Sequence, residues 1–225
     1  ELSPEAMMVL INALYFNCLW ETEFDPDETS MKMFYNADQT QYGEVEMMTT
    51  EATFNHAATD DFTAVELPYK NGKFSMRLFL PAYGSSVNEL IGQLDGATWN
   101  SWLEAFEEHD EVQVTMPKFK FEYERCIGED LKSMGLGIAL TGEADFSDIS
   151  DIGLLISEVI HKTYIDVNEE GTEAAAVTAI VFETTSVGPS GPVVIRFDRP
   201  FLFTITENSS NAIMFAGKLG APAYE

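Results

Sequence analysis

Three histidines, His56, His109 and His161, are the whole supply of neutral-pH general bases. A nucleophile of the serine type needs one of them beside a serine and a carboxylate. His109 sits in an acidic run and His56 in a polar stretch. His161 follows an apolar segment, where a hydrogen-bonded core histidine is the simpler reading. The sequence has no Gly-rich phosphate loop, no HExxH and no GxSxG. Gly188-Pro189-Ser190-Gly191 has the look of a nucleophile elbow, but its spacing is wrong and its prolines forbid the turn. Cys18 and Cys126 are far apart and belong to no CxxC or Cys/His cluster, so neither zinc nor redox chemistry is expected. They could form one disulfide or stay as two buried thiols, and thiols are the expectation, since a chain of this size needs no staple. No catalytic residue, cofactor or metal ligand is assigned.

Composition narrows the partners. Thirty-eight Asp and Glu against 12 Lys and Arg give a net charge of −26 over 225 residues. Nucleic-acid binding needs cations to neutralise phosphates, and heparin-like polymers and anionic membranes need them too. All three are excluded as expected partners. No apolar run approaches the roughly 20 residues that span a bilayer. Aromatic content of 12% is enough for a sizeable core. A protein or small-molecule partner is left.

The unusual chemistry lies in residues 169–186, EEGTEAAAVTAIVFETTS. Small and β-branched residues dominate, and from Thr172 to Val187 there is neither Gly nor Pro. Read as a strand, one face holds Thr172, Ala174, Ala176, Thr178, Ile180 and Phe182. The other holds Glu173, Ala175, Val177, Ala179, Val181 and Glu183. The first face is uncharged and begins with small side chains, so it could be buried in a sheet. Val187 to Pro192 (VGPSGP) is a connector. One stretch can therefore serve as exposed loop or as buried strand. An ordinary Ala-rich strand or helix followed by a loop is the plain alternative on these residues alone.

Other elements must position that segment. Met7 to Phe16 is a near-continuous apolar run, expected as a buried central strand. Asp25 to Ser30 is a polar break, and Met31 to Phe54 reads as short segments. Thr63–Leu67 and Phe74–Leu80 flank Asn71-Gly72, a hairpin with a type I′ turn. Ser86–Leu94 and Ala97–Phe106 read as helices. In the second, Trp99, Trp102, Leu103 and Phe106 make one apolar face, a core face rather than a binding site. Glu104, Glu107, Glu108, Asp110 and Glu111 make a solvated acidic face. Val112–Met116 and Lys118–Tyr123 alternate as strands. Ile127–Met134 is a short helix closed by Gly135, and Leu154–Val167 is a long strand. Val193–Phe197, Phe201–Thr206 and Ala212–Lys218 are three more.

Ordered pieces along the chain resemble one family. Asn12-Ala13-Leu14-Tyr15-Phe16 with Trp20-Glu21 and Phe24 is similar to the third strand of the serpins' sheet A and the turn beyond it. Leu80-Pro81 and Met116-Pro117-Lys118-Phe119 resemble the end of a central sheet B strand and the family's L-P-K-F motif. Asp130-Leu131, Met134-Gly135 and Phe146-Ser147 follow in order. His161-Lys162 and Glu169-Glu170-Gly171-Thr172-Glu173-Ala174-Ala175 resemble the fifth strand of sheet A and its hinge. Phe197-Asp198-Arg199-Pro200-Phe201-Leu202-Phe203 and Phe215-Ala216-Gly217-Lys218-Leu219 resemble the last strands of sheet B. Any one piece is weak, but the ordered set is specific and covers essentially the whole chain.

The resemblance implies an α+β serpin fold of multi-stranded sheets with helices. It implies a single domain over residues 1–225 with a reactive-centre loop at about 171–192. Only the part from the third strand of sheet A onward is matched, so the N-terminal helical segment is expected as a missing partner of this chain. It implies a suicide inhibitor of serine proteases and not an enzyme. The hinge would be Glu169, Glu170, Gly171, Thr172, Glu173, Ala174, Ala175 and Ala176. Counting from it puts the reactive bond at Thr185–Ser186, flanked by Phe182, Glu183, Thr184 and Val187. A small β-branched residue before the cut suits an elastase-like or subtilisin-like protease. Trp20 and Lys118, with Glu169, would lie where the loop enters the sheet, and Asn12 and His161 in the polar cluster where the strands part. A non-inhibitory serpin-like binding protein, cut as a plain substrate, is the alternative. An extracellular or cell-surface location is the accompanying expectation.

Overall fold

The computed structural model describes residues 8–149, 151, 154–172 and 192–223. The chain forms two compact units, each built from two separate stretches of sequence. One comprises Glu1–Phe16 and Phe121–Ile165; the other comprises Asn17–Lys120 and Asp166–Glu225.

In the first unit, β1 (Met8–Tyr15) runs parallel to β9 (Ile156–Val167), whose last two residues belong to the second unit. Asn12 stands opposite His161 and Tyr15 opposite Tyr164, whose rings stack at 6.3 Å. β8 (Phe119–Cys126) pairs with β9 as well. The apolar run at β1 is a strand, as its Val/Ile/Tyr content predicts, but it is not buried. Leu10 is 50% and Ile11 57% exposed. Val, Ile and Tyr suit a pleated strand that is covered on one side or neither, whereas full burial needs a covering surface, and none lies over these two among the described residues. α3 (Gly128–Leu131) is shorter than the sequence predicts. The chain widens over Lys132–Leu136 and turns at Gly135, whose φ of +101° only glycine adopts without cost.

The second unit is built on an eight-stranded sheet. Its order is β11 (Val193–Arg196), β7 (Glu107–Pro117), β4 (Gln41–Ala58), β5 (Phe62–Pro68), β6 (Phe74–Pro81), β12 (Phe201–Glu207) and β13 (Ile213–Leu219). The eighth strand, β3 (Ser30–Tyr35), pairs with β4. Where the sequence predicts short segments, β4 is a single strand of 18 residues. Met47, Met48, Thr49 and Thr50 are all buried, so the alternation that marks a one-sided strand is missing.

The β5–β6 hairpin forms in the expected place with a different turn. Gly72 donates to the Tyr69 carbonyl, and φ is positive at Gly72 (+66°) but not at Asn71. That is a type I turn closed by a left-handed glycine, with the Asn71 side chain accepting from the Lys73 amide.

Two helices cover one face of this sheet. α1 (Val87–Gly92) opens with a capping box between Ser86 and Glu89, and Asp95 caps α2 (Gly96–Glu104). Trp99 and Trp102 are core residues, as their spacing predicts. The Trp102 ring lies 4.9 Å from Phe62 and 5.3 Å from Phe79. The acidic run is exposed except for half-buried Glu111. Cys18 and Cys126 are free thiols. Neither is buried as expected: Cys18 is half-buried, and Cys126 is exposed because it ends β8, a strand exposed from Glu122 onward.

Candidate functional site

The segment predicted to carry the chemistry enters the second unit as a tight turn. Asn168 accepts from the amides of Glu170 and Gly171 through its side chain (3.1 and 3.2 Å), and its own amide donates to the Gly171 carbonyl. Asn side chains form such turns readily. The turn delivers β10 (Gly171–Thr172), which pairs antiparallel with two strands at once. Thr172 is opposite Val167 of β9 on one side and Cys18 of β2 (Cys18–Leu19) on the other.

Gly171 is obligatory here for space. A Cβ on it would lie 2.3 Å from the Cys18 carbonyl oxygen and 2.7 Å from Leu19 Cα. Both are backbone atoms, so neither can swing aside.

Thr172 is fully buried, and its hydroxyl is 2.7 Å from that of Tyr69. Burial raises the Tyr69 phenol far above its ordinary value and keeps it neutral. Tyr69 in turn stacks on Trp20, with ring centroids 4.6 Å apart and planes 11° from parallel. Trp20 fastens the turn from two atoms: its indole Nε1–H donates to the Asn168 carbonyl and its amide to the Glu170 carbonyl, each at 2.9 Å.

Glu169 is held on the same side. The Phe24 amide donates to its carbonyl (2.9 Å), and the Thr29 hydroxyl to its carboxylate (2.8 Å). Lys118 Nζ lies 3.2 Å from its other carboxylate oxygen. Lys118 and Glu169 side chains are only 15% and 12% exposed, so the pair is poorly screened. Glu46 is a second, more distant partner of Lys118 at 3.9 Å.

The structure thus brings together Trp20, Lys118, Glu169, Glu170, Gly171 and Thr172 from the predicted set. Asn12 and His161 form a register pair of their own in the first unit. His161 is half-buried and Asn12 exposed, so His161 is not the core histidine that the sequence predicts. The β1 strand beside it is open to solvent over Leu10–Ala13, which leaves the imidazole partly wet. Glu173, Ala174, Ala175, Ala176, Phe182, Glu183, Thr184, Thr185, Ser186 and Val187 lie outside the described residues. Sequence reasoning did not single out Tyr69, Thr29 or Asn168. Asn168 had a signal, since Asn before Glu-Glu-Gly is turn chemistry. Tyr69 and Thr29 had none, because their roles depend on contacts 103 and 140 residues away.

A family model described as Serpin (serine protease inhibitor) matches residues 1–222. The chain belongs to the serpin family. A serpin-like protein of Methanosarcina acetivorans is 38% identical over 229 residues, covering all of this chain and 53% of that protein. Iripin-2 of Ixodes ricinus is 37% identical over 220 residues, covering 97% of this chain and 55% of that protein. Among solved structures, the native state of the thermophilic serpin tengpin aligns with a TM-score of 0.85 at 34% identity, covering 98% of this chain and 57% of that one. This serpin chain therefore spans little more than half the length of those relatives. The expected α+β serpin architecture, helices with large mixed sheets, holds. As a family, serpins are protease inhibitors rather than catalysts.

Proposed function

We propose that this chain belongs to a suicide inhibitor of serine proteases and supplies both its bait loop and strands of the sheet that receives the cut loop. Thr172 carries the reading. It is the first small, uncharged residue of the segment's apolar face. It is fully buried and paired antiparallel with β9 and β2. The strand that follows a cut need only continue a pairing already begun.

The chemistry proposed is as follows. The protease serine attacks the carbonyl of Thr185, expels the amine of Ser186 and leaves an acyl-enzyme. Residues from Thr172 onward then extend β10 along β9. In doing so they part β9 from β1, which runs parallel to it. The incoming strand is antiparallel to β9, as β10 already is, and therefore to β1 as well. One parallel contact is replaced by two antiparallel ones, which are somewhat stronger per residue. Fifteen residues of strand carry the tethered protease ~50 Å at about 3.3 Å per residue. Burial of Ala174, Ala176, Thr178, Ile180 and Phe182 supplies the apolar part of the drive.

The target is an elastase-like or subtilisin-like protease. A shallow apolar pocket accepts Thr185, and the sequence from Glu169 to Ile195 contains no Lys or Arg for a trypsin-like pocket. The net charge of −26 argues that heparin plays no part.

The test is to mix the full-length protein with a pancreatic-type elastase, run a denaturing gel and weigh the released C-terminal peptide. A covalent band at the summed mass, with a peptide beginning at Ser186, is expected. Rapid cleavage at that bond with no covalent band would overturn the inhibitor reading in favour of a plain-substrate serpin.

A further inference from the structure

The antiparallel ladder between β4 and β7 changes register between Ala52 and Phe54. Beyond that break Phe54 stands opposite His109, and His56 opposite Glu107. Paired residues share a sheet face, and faces repeat every second residue. Phe54, His56, Glu107 and His109 therefore lie on one face, with the two imidazoles as diagonal neighbours. Their rings meet edge to face with centroids 5.4 Å apart. The Nδ1 atoms of both are buried and have no hydrogen-bond partner among the described residues.

Neutral imidazoles tolerate this arrangement. Charged ones do not, because both nitrogens of a protonated ring are donors. Protonation of His56 would turn its buried Nδ1 into a donor with no partner among the described residues, beside a second imidazole.

We propose that His56, packed on His109, makes an acid-sensitive joint in the β4–β7 ladder, closed while the His56 ring is neutral and loosened when it takes up a proton. Facing His56 from β7 are Glu107 and His109; β5 sets Val65 opposite it, and Phe54 shares its face on β4. Glu107 favours the charged ring. Burial and the neighbouring His109 disfavour it and prevail, so the His56 pKa lies below the ordinary value of 6.5. The sign follows from linkage. An opened ladder frees the ring to titrate normally, so the open form binds more protons as pH falls through 6.5. Acid therefore favours opening. The joint is local: β11 is held on the same β7 strand at Val112–Thr115, on the other side of the register break.

Amide hydrogen exchange of the full-length protein at pH 7.5 and pH 5.5, corrected for the intrinsic rate, reads this directly. Protection at Phe54–His56 and Glu107–His109 is expected to fall several-fold at the lower pH, with Val112–Thr115 unchanged. His56→Gln should abolish the pH difference, and His109→Gln, which removes the neighbouring ring but not the burial, should reduce it. Unchanged protection in the wild type, or an equal fall in His56→Gln, would overturn the proposal. Should either variant fail to fold, the Cε1–H titration of the wild-type imidazoles decides. A His56 midpoint below 6.5 supports the joint, and one at or above 6.5 overturns it.

Discussion

The hydroxyls of Tyr69 and Thr172 lie 2.7 Å apart across 103 residues of sequence, and both side chains are fully buried. The two hydroxyls are hydrogen-bond partners shielded from bulk solvent. Tyr69→Phe would leave the Thr172 hydroxyl unsatisfied, at a cost of about 1–3 kcal/mol. Thr172→Val removes the same contact from the other side. The double variant, with both hydroxyls gone, should be closer to wild type than either single change, and a double-mutant cycle on denaturant midpoints measures the difference. The pH dependence has a definite sign. The folded phenol titrates above its ordinary value of 10.0, so stability is fully present below pH 10 and is lost as pH rises beyond it. Tyr69→Phe should flatten that alkaline loss.

Gly171→Ala tests the tight passage of β10. The added methyl would meet the backbone at Cys18 and Leu19, at 2.3 and 2.7 Å. Overpacking a fixed site costs about 1–3 kcal/mol. Here the strain falls on the β10–β2 pairing rather than on a flexible side chain. Unfolding midpoints should drop, and exchange at Leu19 and Thr172 should rise first.

How much of this was legible beforehand follows from where each signal resides. Trp99 and Trp102 were readable as core because helix periodicity is a local property, and their packing on Phe62 and Phe79 obeys it. The β4 strand was not, because Met47 to Thr50 is buried throughout and so shows no alternation. The Asn71-Gly72 turn was placed correctly but typed wrongly. That dipeptide supplies a left-handed Gly72 to either turn, and it is loop length that selects between them. At the site, Trp20, Lys118 and Glu169 came from a resemblance in which their order along the chain was the information. Tyr69 was invisible because nothing in the chemistry of a tyrosine before a turn names a threonine 103 residues on.

Glu66 and Arg77 form a second buried connection. Arg77 Nη2 lies 2.6 Å from Glu66 Oε1, with the side chains 8% and 13% exposed. Asn55 donates to the other Glu66 oxygen and Arg77 donates to Thr206, so the row crosses β4, β5, β6 and β12. Removing one partner strands a buried charge and should cost about 3–5 kcal/mol in Arg77→Met or Glu66→Leu. Replacing both with apolar residues should recover most of that. Chemical denaturation of the two singles and the double decides it.

Glu169 is anchored by both Thr29 and Lys118. Glu169→Gln keeps the shape and loses the charge. Glu46, the other carboxylate near Lys118, is at 3.9 Å and far more exposed. A loss of about 1–3 kcal/mol is expected, the range for a hydrogen bond to a charged group. High salt should not mask it, because the Lys118–Glu169 pair is shielded from the ions that screen surface charges. The check is the denaturant midpoint of wild type and variant at 0.1 and 1 M salt (~10 and ~3 Å screening lengths). A difference that vanishes in high salt would mean that the pair behaves as a surface contact.

Thr172→Arg separates cutting from trapping. The position is fully buried between two backbone strands, and its side-chain hydrogen-bond partner is the neutral Tyr69 hydroxyl, which offers a guanidinium no opposite charge. Burying that charge costs several kcal/mol. The proposed Thr185–Ser186 bond, further along the sequence, is chemically unchanged. Elastase should therefore cut the variant at the same bond, with the covalent fraction on a denaturing gel falling at least tenfold. That factor corresponds to about 1.4 kcal/mol in the competition between insertion and deacylation. An undiminished covalent band would mean that insertion does not begin at Thr172, and the strand pairing would then have to start further along the segment.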